Sequence, residues 1–164
     1  MRQIRPLHPG DDLYAAARVY EQAWRHSYAG MLPENWLAKL RPERWTPMLA
    51  AAPGHTLVLL EADRPVGACT FSFSRDQGRE GFGEIVSLYL LPHAQGGGEG
   101  RRLLEAALQA LHSEGCDGAC LWVLEDNKKA IGFYRHMGFE TSGRRMKESY
   151  GTFSASLVEM VLHW

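Results

Sequence analysis

The residues with the densest chemical potential lie between Leu90 and Leu104. An apolar run stops there at Pro92, crosses Gln95-Gly96-Gly97-Gly98-Glu99-Gly100 and enters an amphipathic stretch that begins Arg101-Arg102. Strand, glycine loop and helix in that order make an anion site out of main chain. Glycine permits positive φ and close backbone approach, and the first turn of a helix offers unpaired N–H groups at the positive end of its dipole. Arg101 and Arg102 add positive charge beside the loop. Glu99 opposes it unless that carboxylate turns to solvent or pairs with an arginine. Spacing excludes two other phosphate binders. A G-x-G-x-x-G dinucleotide loop counted from Gly96 would end on Arg101 and counted from Gly98 on Leu103, and the G-K-S/T end of a P-loop is missing.

A second group follows a buried-looking apolar run: Asn127, Ala130, Phe133, Tyr134, Gly138 and Phe139 stand in the pattern N-x-x-A-x-x-F-Y-x-x-x-G-F. On a helix, Asn127 and Tyr134 lie two turns apart on nearly one face, about 10 Å along the axis. Pro92 to Leu103 reads P-x-x-Q-G-x-G-x-G-x-x-L and contains Q-x-x-G-x-G. The two patterns, in this order, resemble the signatures of the GNAT superfamily of acetyl-CoA-dependent N-acetyltransferases. Glu99 departs from the pattern, since the superfamily usually has an aliphatic residue between the last two glycines.

The resemblance implies an α/β (α+β) fold in a single domain over residues 1–164, with a mixed central sheet of six to seven strands and about four helices. It implies acetyl-CoA as cosubstrate, no metal, and direct transfer of the acetyl group to a primary amine of a small molecule or peptide. The backbone of Leu88 and Leu90 would meet the pantetheine and the acetyl carbonyl. Gln95, Gly96, Gly97, Gly98 and Gly100, with Arg101, would cradle the pyrophosphate. Asn127 would contact the cofactor, and Tyr134 would touch it and protonate the leaving thiolate.

Such a transfer needs a neutral amine, so a carboxylate or an ordered water must take the ammonium proton. Glu84 stands eleven residues before Gln95, the offset of the general-base glutamate in the histone acetyltransferases of this superfamily. Burial beside Ile85 and Val86 would suit that task; a solvated carboxylate at a strand end is the alternative. Ribosomal-protein acetyltransferases carry a glutamate five residues before the asparagine, where this chain has Trp122, which counts against that acceptor. Trp24 to Pro33 resembles the W-x-x-x-Y-x-G-x-L-P segment of many bacterial members, and implies Trp24, His26 and Tyr28 as a substrate wall; the alternative makes them core and hinge aromatics. The rival function is a catalytically inactive module that holds acetyl-CoA as a sensor or scaffold.

Periodicity supplies elements to position these groups. A strand is expected over Arg2 to Leu7, then a helix capped by Asp11 or Asp12 with Leu13, Ala16, Ala17, Tyr20, Ala23 and Trp24 on one face. Short helices follow Pro33 and Pro42. His55 to Glu61 and Pro65 to Phe73 read as a hairpin, and Glu84 to Leu90 as the strand feeding the loop. The next helix ends near Gly115, and Ala119 to Leu124 reads as a strand buried on both faces and parallel to its neighbour. The last strand is Ser156 to Trp164.

The chain has 164 residues, 45% hydrophobic and 23% charged, enough for one core and too few for two ordinary domains. A net charge of −1 gives no general attraction to nucleic acid or to an anionic membrane. With neither a signal peptide nor a membrane-length apolar run, the sequence leads us to expect a cytoplasmic protein, as a monomer or a homodimer. Cys69, Cys116 and Cys120 have no zinc spacing and read as buried free thiols. The seven histidines lack metal-site pairing.

Overall fold

The computed structural model describes residues 1–164 as a seven-stranded sheet in the order β1-β2-β3-β4-β5-β7-β6, with five α-helices on its two faces. The strands are β1 (Arg2–Pro6), β2 (Thr56–Glu61), β3 (Arg64–Phe73), β4 (Gly83–Leu90), β5 (Gly118–Leu124), β6 (Glu140–Tyr150) and β7 (Phe153–His163). The helices are α1 (Leu13–Ser27), α2 (Glu34–Leu37), α3 (Thr46–Ala51), α4 (Glu99–Ser113) and α5 (Lys128–His136).

Local chemistry accounts for most boundaries. Of the two candidate caps, Asp12 opens α1, its carboxylate accepting from the Ala15 N–H at 3.1 Å, while Asp11 takes a bidentate bond from Arg5. The β2–β3 hairpin turns on Ala62 and Asp63, both at positive φ (49° and 63°), as a two-residue turn matched to strand twist requires. The Pro42 segment forms a 3₁₀ turn, and α3 starts only at Thr46. The five helices, three of them in the N-terminal third, agree with the expectation of about four.

All neighbouring strands are antiparallel except β4 and β5, which α4 joins as a βαβ crossover. Each face of the sheet has its own core. Leu103, Leu104, Ala107 and Leu111 of α4 pack with Ile85, Leu121, Met160 and Phe139 on one side. Ala16, Ala17 and Tyr20 of α1 pack with Leu49, Val58, Ala68 and Leu157 on the other. Each fully buried leucine contributes about 1.5–3 kcal/mol, so these faces fix the strand order. At the start of β5, a Cβ on Gly118 would stand 2.4 Å from the Leu162 carbonyl oxygen, so only glycine permits that strand approach.

The sequence reading did not delineate β6, and it began β7 three residues late. Glu140 to Ser149 are exposed along the whole strand, so no apolar alternation marks it. No helix is long and apolar enough to cross a membrane.

Candidate active site

The site begins with a fault in the sheet. β4 and β5 pair only at Gly83 with Ala119 and Glu84 with Cys120; beyond these the strands part. A bulge helps to turn β4 away, because Ile85 faces Phe71 while Ser87 faces Thr70, leaving Val86 extra. Past the bulge, the Leu91 N–H donates to the Val66 carbonyl at 2.8 Å. The alternation of an antiparallel ladder then turns the backbone of Ser87 and Tyr89 toward β3, and that of Leu88 and Leu90 into the gap. A cavity of about 920 Å³ runs through the gap, lined by residues from both faces of the sheet.

On the α4 face lies the glycine loop. Gly98 caps α4 at φ 83° with no side chain on the first-turn N–H groups. A Cβ on Gly96, Gly97 or Gly98 would meet nothing within 4 Å, so the cradle is open. Its unsatisfied N–H groups suit the pyrophosphate of acetyl-CoA. Gln95, Gly96, Gly98, Gly100 and Arg101 line the cavity, and Gly97 does not. The Gln95 side chain donates to the Leu90 carbonyl at 3.1 Å, bracing the turn from strand to loop. Glu99 is paired with Arg102 at 2.6 Å, and Arg101 with Glu105 at 2.7 Å, so Glu99 does not leave a bare negative charge beside the cradle.

Asn127 is the N-cap of α5, its side-chain oxygen accepting from the Ala130 N–H at 3.2 Å, and it also lines the cavity. Tyr134, two turns on, packs edge-on against Phe133 and Phe139, and its hydroxyl has no partner in the chain. Burial pushes that phenol far above its ordinary value, so it remains a proton donor across the working pH range.

Glu84 is 6% exposed and lines the cavity from the α1 face. The burial expected of a base is present, together with a partner that sequence did not indicate: Arg75 donates to both carboxylate oxygens, at 3.3 and 2.8 Å. A carboxylate has about four lone-pair positions, so this fork leaves acceptor capacity free. Trp24 and Tyr28 do reach the cavity, and His26 stands exposed at its rim. Trp24 is also a packing residue, with Tyr28, Trp36, Trp45, Tyr89 and Tyr150 at centroid distances of 4.9 to 6.3 Å. Tyr28 and Tyr89 share a hydroxyl–hydroxyl bond of 2.8 Å, with burial raising both phenols.

Sequence reading did not single out Arg44, Arg75, Tyr89 or Tyr150. Tyr89 alone carried a usable signal: between Leu88 and Leu90 in a strand, it must project to the opposite face. The three cysteines are buried without disulfides, and burial pushes the thiols of Cys69 and Cys120 up to about 12 and about 11, which disqualifies both as nucleophiles at neutral pH.

A family model for the acetyltransferase (GNAT) family matches residues 17–139. The chain belongs to this family. Mycothiol acetyltransferase of Streptomyces avermitilis is 32% identical over 139 residues, covering 84% of this chain and 42% of that protein. The chain thus spans about two fifths of the length of that relative. A probable N-acetyltransferase of Mycobacterium tuberculosis is 32% identical over 148 residues, covering 87% and 82% of the two chains. Among solved structures, the PaiA N-acetyltransferase of Thermoplasma acidophilum in complex with coenzyme A aligns over 100% of this chain and 99% of that one (TM-score 0.76, 18% identity). YncA of Salmonella typhimurium with acetyl-CoA aligns over 99% and 94% (TM-score 0.75, 21% identity). These likenesses establish the GNAT fold.

Proposed function

We propose that the protein transfers the acetyl group of acetyl-CoA to a primary amine by direct attack in the gap between β4 and β5. The observation that carries the reading is a convergence on one cavity: outward-turned backbone at Leu88 and Leu90, an open helix N-terminus at Gly98, and the unpartnered hydroxyl of Tyr134. When bound, acetyl-CoA supplies the activated acyl group and a sulfur leaving group.

The loop from Gln95 to Gly100, with Arg101, holds the pyrophosphate through main-chain N–H groups. The backbone of Leu88 and Leu90 aligns the pantetheine arm and offers a hydrogen bond to the carbonyl oxygen, where charge develops during attack. Asn127 contacts the arm while holding the start of α5. Tyr134 delivers its proton to the departing sulfur, which its protonated state permits. On the acceptor side, Glu84 takes the ammonium proton, directly or through a water. It is the buried carboxylate of the cavity, whereas Glu148, the other carboxylate there, is exposed. Trp24, Tyr28 and His26 form the acceptor wall. The rival reading, a sensor without turnover, loses its main support once Glu99 is paired with Arg102.

Two measurements test the proposal together. Acetyl-CoA should raise the melting temperature by mass action on the folded state, and ATP and NADH should do so far less. Free thiol should then appear when a panel of amines is added to enzyme and acetyl-CoA. Equal shifts from the three nucleotides, or thiol release indifferent to amine, would overturn it.

A further inference from the structure

The α1-side half of the cavity has an aromatic lining with two donors that the chain leaves without acceptors. Arg44 lies over the rings of Trp24, Trp36 and Trp45, with its guanidinium carbon 5.7, 5.1 and 6.0 Å from their centroids. Stacking of this kind orients a guanidinium while leaving its five N–H donors in the ring plane free to bind. No carboxylate or carbonyl of the chain accepts from them. The indole N–H of Trp24, one of the three rings, is buried and has no hydrogen-bond partner, an arrangement that costs about 1–3 kcal/mol unless a bound group accepts the bond. Both residues line the cavity.

Other charges of this half sharpen the reading. Glu84 is paired with Arg75 and keeps acceptor capacity for the reacting amine, which leaves Arg44 and Glu148 as the two charged side chains here without an ion-pair partner. Tyr150 stands within electrostatic reach of both: burial pushes its phenol up, Glu148 adds to the rise and Arg44 opposes it. A polyamine with one amine at Glu84 would bring its further positive charge beside the open guanidinium of Arg44. A molecule with an amine at one end and an anion at the other would present the amine to Glu84 and the anion to Arg44.

Resting on the acetyl-transfer reading above, we propose that the acceptor is an amino-carboxylate, and that Arg44 and the Trp24 N–H form the subsite for its carboxylate. The planar fork of Arg44 grips a carboxylate in two places, and the indole N–H adds a third donor. Arg44 is then a specificity-determining residue: it selects among amines and takes no part in bond making.

The test is binding by calorimetry with coenzyme A present, using ω-amino acids of increasing chain length, the matching ω-amino amides, and α,ω-diamines. At one chain length the carboxylate should bind about 10- to 100-fold tighter than its amide or diamine, the factor expected for one charge-assisted bidentate contact. Arg44→Gln should collapse that ratio toward one, Arg44→Lys should restore only part of it, and Trp24→Phe should reduce it while retaining the ring. Equal affinity for the three series, binding of none, or a ratio unchanged in Arg44→Gln would each overturn the proposal. A melting-temperature shift with acetyl-CoA, measured on the same samples, separates that failure from failure of the acetyl-transfer reading and shows that each variant is folded.

Discussion

Tyr134 holds an apolar position in the cavity lining with a single polar atom that has no partner in the chain, so removing that atom should isolate its role. Tyr134→Phe preserves the ring contacts with Phe133 and Phe139 and should lower kcat by about 10²-fold, the low end of general acid catalysis, with acetyl-CoA affinity changed by no more than a few-fold. Steady-state kinetics beside calorimetric binding would show the split, and an unchanged kcat would remove Tyr134 from the mechanism. Glu84 makes a different case, because it is tied to Arg75. Glu84→Gln keeps volume and an acceptor oxygen, and Arg75 is 69% exposed, so its released guanidinium returns to water at little cost. The fold and acetyl-CoA binding should survive, while kcat/KM at neutral pH falls. Retention of the full rate would assign the proton to another group. Tyr134 and the loop residues were legible in the sequence because their spacing is fixed within one element and its flanking turn. The Arg75 and Tyr89 partnerships were not, since each joins residues from separate segments whose meeting depends on the folded sheet.

Among the elements, α4 and β6 show opposite dependences on their residues. The open N-terminus of α4 rests on Gly98, whose positive φ costs a residue with a Cβ about 1–2 kcal/mol. Gly98→Ala should therefore weaken acetyl-CoA binding about 10-fold or more, because the strained turn reorients the cradle N–H groups; calorimetry would check it, and unchanged affinity would remove the cradle from the site. β6 has almost no apolar face, and an ion cluster on β7 fastens it. Glu159, fully buried, accepts from Arg79 at 2.5 Å, from Arg144 at 3.1 Å and from Ser142 at 2.7 Å, while Arg144 also reaches Asp76 at 2.6 Å. The cluster ties β6 and β7 to the loop that carries Arg75. Burial pushes the Glu159 carboxyl up, but hydrogen bonds from Arg79 and Ser142 and the charge of both arginines outweigh it and hold it below the ordinary range. Glu159→Gln leaves the largely buried Arg79 guanidinium without an ion pair, while Arg144 keeps Asp76, and should destabilise by about 3 kcal/mol, the low end for a broken buried pair. For a chain of this size that lowers the melting temperature by about 6–12 °C; a shift near zero would mean that the cluster is solvated. The sequence could not show β6, because polarity along its length erases the alternation from which strands are read.

At the scale of the whole molecule, carboxyls held below their unfolded values set the response to acid. Arg5 hydrogen-bonds Asp11 and holds it down to about 2, and Glu159 is lowered by its arginines. A group of this kind stabilises the folded state fully above its unfolded value, about 4 for both residue types. That contribution is lost as pH falls through the folded value. The melting temperature should thus be flat with respect to these two groups from neutral pH down to about 5 and then fall toward pH 2, with the Glu159 part of the fall missing in Glu159→Gln. Single-domain organisation was legible from length and composition, and the βαβ unit from the apolar run before the loop and the buried strand after it. The fault between β4 and β5 was invisible, since neither strand's sequence records where its neighbour departs. That fault has a mechanical consequence. With two residue pairs as the seam, β1 to β4 and β5 to β7 form two plates joined along a short edge, and a ligand laid between them as proposed would act as an eighth strand. In hydrogen exchange, the amides of Leu88 and Leu90 should exchange freely in the apoprotein and slow sharply when acetyl-CoA is added, while those of Ser87 and Tyr89, bonded to β3, stay slow throughout. The small molecule that the enzyme consumes would then also serve, for the length of each turnover, as the keystone of its own sheet.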